Sequence, residues 1–143
     1  MAKESQRLIQ ARIGRETNIE TLEYGEVRTI TAVSLSLPPA GHILGSAQVK
    51  VKQDGNIWVV SGDYKTDSDS TSTPLEPLRC HTFISESTFG LPIFKWPSPQ
   101  QVINDINSWW RSNRDQHQTS ILFAYALGKA QRILKGLDDS IGP

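Results

Sequence analysis

A single cysteine, Cys80, is all the chain carries. It therefore has no internal disulfide and no multi-cysteine zinc site, and this usage fits a reducing compartment, with the cytoplasm expected. An excess of one charge is also lacking. Fifteen basic and fifteen acidic side chains cancel, which removes the plainest signature of a nucleic-acid binder. A metal centre would still supply positive charge that no residue count records. Long apolar runs are missing too: the longest, residues 121–127, falls far short of the ~20 residues that span a bilayer, so no membrane protein is expected. The opening Met-Ala-Lys-Glu-Ser-Gln-Arg is charged and no apolar stretch follows it, so neither a secretory signal nor an anchor is read there. Histidine is scarce, at three residues. What remains is a neutral chain of 143 residues, long enough for one domain that buries about two-thirds of its unfolded surface.

Residues 1–14 have the spacing of a short amphipathic helix, with Leu8, Ile9 and Ile13 together, Lys3, Arg7 and Arg12 as polar partners, and Gly14 as the stop. From Thr21 the pattern turns to strands. Ile30 is weakly placed, and Val33, Leu35 and Leu37 then alternate with Ala32, Ser34 and Ser36 until Pro38-Pro39 ends the run. A second strand puts Ala47, Val49 and Val51 on one face and Gln48, Lys50 and Lys52 on the other. Asp54-Gly55 predicts a tight hairpin to Ile57-Trp58-Val59-Val60, whose unbroken apolar character implies cover on both faces.

Residues 65–77 are a loop rich in Thr, Ser, Asp and Pro, of a length that usually carries a task. A short strand is expected from about Cys80 to Glu86. Ser98, Pro99 and Gln101 then form a capping box that opens a helix, with Val102, Ile103, Ile106, Trp109 and Trp110 as a broad buried stripe. Residues 120–127 read as a buried strand. Gly128 opens a further helix, with Ala130, Ile133, Leu134 and Leu137 inward and Lys129, Arg132 and Lys135 outward. Hairpins dominate the first half, and strand and helix alternate in the second, so the class is α/β with no internal repeats.

Chemistry concentrates in three segments that each end a strand with a polar, Gly-bracketed group. They are Pro39-Ala40-Gly41-His42-Ile43-Leu44-Gly45-Ser46, Ser61-Gly62-Asp63-Tyr64 and Ser85-Glu86-Ser87-Thr88-Phe89-Gly90. Strand ends hold a backbone rigidly while leaving its side chain open to a ligand. Taken singly, His42 reads as a turn histidine, Asp63 as an Asx turn and Glu86 as a surface carboxylate.

Taken together, in this order and spacing, the segments resemble the β-CASP nucleic-acid-processing branch of the metallo-β-lactamase superfamily. With Ala47-Gln48-Val49, Trp58-Val59-Val60, Leu91-Pro92-Ile93-Phe94-Lys95-Trp96 and Phe123-Ala124-Tyr125-Ala126-Leu127-Gly128-Lys129-Ala130-Gln131-Arg132 added, the chain is similar to the bacterial ligase-associated DNA exonucleases, also described as mRNA 3′-end processing factor-like proteins. The resemblance implies part of an αββα sandwich, mostly antiparallel strands and hairpins, over residues 1–86. It implies the first strand-helix unit of a β-CASP domain over residues 87–143.

The same resemblance makes His42 a ligand of Zn²⁺ and Asp63 the carboxylate bridging two such ions, and imidazole and carboxylate are donors that suit zinc. A pair of ions would generate a nucleophile and stabilise the charge of an in-line attack on a phosphodiester. Glu86 would assist protonation of the leaving oxygen. Ser46, Ser87, Thr88 and Lys129 fall where substrate would lie, the expected substrate being DNA or RNA, with a DNA ligase as a functional associate.

The family's main metal motif, His-x-His-x-Asp-His, is absent, and His81 and His117 sit in no matching motif. Two donors cannot close a zinc shell. The chain is therefore expected to be an internal fragment with little turnover, weak zinc affinity and exposed apolar surface. Alternatives are a noncatalytic nucleic-acid-binding or scaffold module derived from that family, and, last, another hydrolase on the same scaffold. Leu127-Gly128-Lys129-Ala130 is no phosphate-binding loop, because Phe123 and Ala130 stand where that motif needs Gly and Ser or Thr. The basic face of Lys129, Arg132 and Lys135 is either solvated or tracks a nucleic-acid backbone.

Overall fold

Alternating hydrophobicity up to residue 60 folds as a meander of antiparallel strands in the computed structural model, which describes residues 1–68 and 70–142. The strands are β1 (Val27–Ile30), β2 (Val33–Ser36), β3 (Val49–Gln53) and β4 (Asn56–Val60), followed by β5 (Thr82–Ile84). They form one sheet in the order β1-β2-β3-β4-β5. The first three pairings are antiparallel, and β5 joins β4 in parallel. Asp54 and Gly55 make the β3–β4 turn with φ of 47° and 81°, the left-handed pair that matches strand twist. The β1–β2 turn uses Thr31 at φ 56°, a residue with no turn signature.

A helix, α1 (Gln6–Ile13), precedes the sheet and ends at Gly14 as the spacing predicts. Leu8 and Ile9 are half-buried, but Ile13 is exposed. Ala2 and Leu22 are buried, and a bridge between them ties the first residues to the segment before β1.

Cross-strand partners share a face, so Leu35, Val51, Trp58 and Thr82 lie in one row and Val49, Val60 and Ile84 in the next. This apolar face is open, with Trp58 51% and Ile84 50% exposed. The expectation that β4 is covered on both sides is corrected here. Only Val59, pointing to the opposite face, is fully buried, so one covered face suffices to hold a strand whose composition suggested two. Gln48 shares the face of Lys50 and Lys52, as the alternation predicts, yet it is 2% exposed, because a returning loop covers it.

The chain divides into compact units Met1–Ser87 and Thr88–Pro143. In the second, α2 (Pro99–Asp115) starts at Ser98, whose Oγ accepts the Gln101 N–H as the capping box predicts. Its half-buried side carries Ile103, Ile106, Asn107 and Trp110, whereas Val102 and Trp109 are exposed. The stripe is thus narrower than the hydrophobic count implied. Helix α3 (Lys129–Gly136) follows Gly128, and Gly136 rests on Ile103, where a Cβ would come within 2.7 Å. Asn107 clamps the end of α3, its amide donating to Gly136 O and its Oδ1 accepting the Asp138 N–H.

Two expectations fail in this unit. Residues 120–127 form no strand, since among the described residues none pairs with them and a lone strand leaves its backbone groups unmet. Phe123 is 94% exposed. Leu134, placed inward by periodicity, points outward, because so short a helix meets its neighbour along a narrow stripe.

Helix α2 ends with Gln118 N–H donating to Asn113 O and His117 N–H donating to Arg114 O, the paired closure that normally places glycine at the left-handed position. His117 occupies it at φ 57°. His117→Gly is expected to stabilise the protein by about 0.5–1 kcal/mol, as read by urea denaturation. Equal or lower stability would show that the imidazole repays its backbone strain.

Candidate metal centre

Strand direction assembles the site. β2 and β4 run the same way, both antiparallel to β3, and β5 is parallel to β4. The C-terminal ends of β2, β4 and β5 therefore leave one edge of the sheet, and those ends lead into the segments bearing His42, Asp63 and Glu86. There the His42 Nε2 lies 3.8 Å from the Asp63 Oδ2, with the side chains 43% and 75% exposed. A contact so open to water contributes little to stability, about 0–1 kcal/mol, so the fold does not depend on it.

The His42 loop is held by its backbone. Ser46 Oγ accepts the N–H groups of His42 and Ile43 at 3.0 and 3.2 Å. Ala40 N–H donates to Ser46 O, which also accepts the Tyr24 hydroxyl at 2.9 Å. Gly41 and Gly45 sit at φ 75° and 76°. Their surroundings explain the residue type as well: a Cβ on Gly41 would lie 2.6 Å from Lys65 O, and one on Gly45 2.4 Å from Ser5 N.

Asp63 begins a long loop that folds back over the first. Lys65 N–H donates to Ala40 O and Glu76 N–H to Pro39 O. Ser72 Oγ donates to Gly41 O. The buried Gln48 amide donates to Pro39 O at 3.0 Å and to Glu76 O at 2.8 Å, pinning both loops. Ser61, fully buried, donates its N–H to Ile84 O and so continues the β4–β5 ladder up to the Asp63 turn.

Of the residues singled out by sequence, His42, Asp63 and Ser46 come together in this edge cluster. Glu86 is half-buried just past β5 at the same sheet edge, and Ser87 is exposed beside it. Thr88 and Lys129 belong to the second unit, where Lys129 Nζ lies 5.0 Å over the Tyr125 ring. His81 is exposed and accepts the Ile57 N–H at Nδ1, which gives it a strand-capping task. Sequence reasoning missed Gln48 and Tyr24, whose roles depend on where the long loop lands. Among the described residues no group of three or more His, Cys, Asp and Glu side chains gathers. His42 and Asp63 fit as two donors of a metal shell, one imidazole and one carboxylate, and not as a whole shell.

No protein-family model matches the chain. Curated relatives do. A probable DNA ligase of Opitutus terrae is 32% identical over 136 residues, covering 93% of this chain and 13% of that protein. An RNase J-like protein of Methanocaldococcus jannaschii is 31% identical over 120 residues, or 82% of this chain and 28% of that protein. Endoribonuclease YSH1 of Gibberella zeae is 29% identical over 130 residues, or 87% and 15%. The chain thus spans under a third of the length of each of these relatives. No helix among the described residues is long and apolar enough to cross a membrane.

Gln48→Leu keeps volume and removes the amide, leaving the Glu76 carbonyl without its donor. A loss of about 1–3 kcal/mol is expected in urea denaturation, and a change under a few tenths would show that the loops hold without it. The Tyr24 phenol is pushed up from 10.0 to about 12 by burial and, secondarily, by the Glu4 carboxylate. Its contribution is complete below the unfolded value of about 10 and declines as pH rises towards the folded value. Between roughly pH 10 and pH 12 the protein should lose more stability than Tyr24→Phe does; parallel pH profiles would contradict this.

Proposed function

We propose that this chain, which belongs to the β-CASP branch of the metallo-β-lactamase superfamily, carries part of the phosphodiester-cleaving site of a zinc-dependent nuclease. The observation that carries the proposal is the approach of the His42 imidazole to the Asp63 carboxylate at a shared sheet edge, 3.8 Å apart. Relatives named as RNase J-like and as an endoribonuclease support nucleic acid as substrate. The relative named as a probable DNA ligase supports a link to DNA end processing. Within that frame a DNA exonuclease acting in repair, or a processing enzyme for RNA, is the activity proposed for the whole protein. Residues 1–86 are then the second part of the αββα portion and 87–143 the opening of the β-CASP portion.

His42 through its imidazole and Asp63 through its carboxylate would hold the metal, with Asp63 able to offer an oxygen to each of two ions. A divalent ion supplies Lewis-acid charge to a phosphodiester under attack. Ser46 accepts two backbone N–H groups and keeps its own proton, which it can donate to a substrate oxygen. Glu86, which follows β5 at the same edge, would assist protonation of the departing oxygen. Ser87, Thr88 and Lys129 would meet the substrate backbone. The presence of only two assembled donors among the described residues also favours a second reading, a noncatalytic nucleic-acid-binding module descended from the same family.

Zinc titration by calorimetry separates the two. The nuclease reading expects one weak binding event in this chain that His42→Ala or Asp63→Asn abolishes, since each removes half of the donor set. It also expects little phosphodiester cleavage by the chain alone. Zinc binding unchanged in the double variant would falsify the assignment, and no zinc binding at all would favour the noncatalytic module.

A further inference from the structure

Beyond the metal donors, the second unit carries an aromatic cluster that no step above uses. Phe89 meets Phe94 and Trp96 edge-on, with centroids 5.2 and 5.4 Å apart. Phe94 and Trp96 lie nearly parallel, at 7° and 6.2 Å. The rings form a preset platform, yet Phe89 is 60% and Trp96 67% exposed. Pro92 and Pro97 limit the freedom of the loop, so little ordering is left to be done on binding.

The charge around it selects the occupant. Lys95 stands exposed between Phe94 and Trp96, and residues 87–104 contain no Asp or Glu. Exposed rings with a cation between them in the sequence, and no carboxylate near in sequence, match a strand that offers flat bases and phosphates in alternation. An apolar protein surface would use Leu91 and Ile93 and gain nothing from Lys95.

We propose that Phe89, Phe94 and Trp96, with Lys95, form a stacking platform for unpaired nucleobases of a single-stranded nucleic acid. The choice of ligand rests on the nuclease reading; the geometry does not. Stacking is tolerant of base identity, because every base has a π-face.

Binding of fluorescent oligo-dT and oligo-U to the whole chain, measured in chelator, tests the platform without any metal. Both strands should bind. Trp96→Ala should weaken binding about tenfold or more, while Trp96→Phe keeps most of it. Lys95→Glu should also weaken it and make it less dependent on salt, as loss of a phosphate contact requires. Phe123→Ala, at a ring still more exposed but outside the cluster, should change nothing. A preference for oligo-U or oligo-dT would tell RNA from DNA. Failure of both strands to bind, an unchanged Trp96→Ala, or a Phe123→Ala as damaging as Trp96→Ala would each overturn the platform. Self-association abolished by Trp96→Ala without oligonucleotide binding would overturn it too, and would assign the rings to a protein contact. Zinc titration is read separately, so failure here leaves the metal assignment standing, and the converse holds as well.

Discussion

One buried amide joins the pieces that matter. Gln48 sits where β3 begins and donates to Pro39 O from the first strand-end loop and to Glu76 O from the second. A residue with one hydrogen-bond donor could hold only one of these carbonyls, and an apolar residue neither. Because Gln48 is buried, water cannot substitute for it without opening the structure. The loops that bear His42 and begin at Asp63 are therefore fixed to each other before any ligand arrives.

Strand direction supplies the second constraint. Three segments far apart in sequence share an edge only because β2, β4 and β5 are parallel to one another in the sheet. The antiparallel hairpins were legible: alternation in β2 and β3 and the Asp54-Gly55 turn specify them locally. The parallel β5 was legible as a strand but not as a partner of β4, since no local rule in the sequence joining them specifies the path of a parallel crossover. The Ser98 cap and Gly14 stop could be read for the same reason as the hairpin, their bonds closing within a few residues.

Failures of legibility follow the opposite rule. Gln48 reads as a surface residue because its neighbours Lys50 and Lys52 are polar, and only the return of residues 74–78 turns that position inward. Residues 120–127 read as a strand because they are apolar and β-prone, but propensity forms no ladder without a neighbour. Leu134 was misplaced because periodicity gives the direction of an apolar face and not its width. At the candidate metal centre, residue type and order made His42 and Asp63 recognisable, whereas the bracing by Ser46, Tyr24 and Gly45 is a property of tertiary approach.

That bracing bears on how the centre can be probed. The donor side chains are exposed and their mutual attraction is weak, so the positions of His42 and Asp63 come from the backbone on which they are mounted. The loop is bent by two left-handed glycines, one of them pressed against Ser5, and its N–H groups are gathered by a hydroxyl rather than by a ligand. Substituting either donor removes chemistry without removing any of the bonds that shape the loop. Substituting Gly45 or Gln48 does the reverse, displacing the donors while leaving them chemically intact. Ligand affinity lost through the first kind of change and through the second has separate origins, and only a centre organised by its backbone allows the two to be separated.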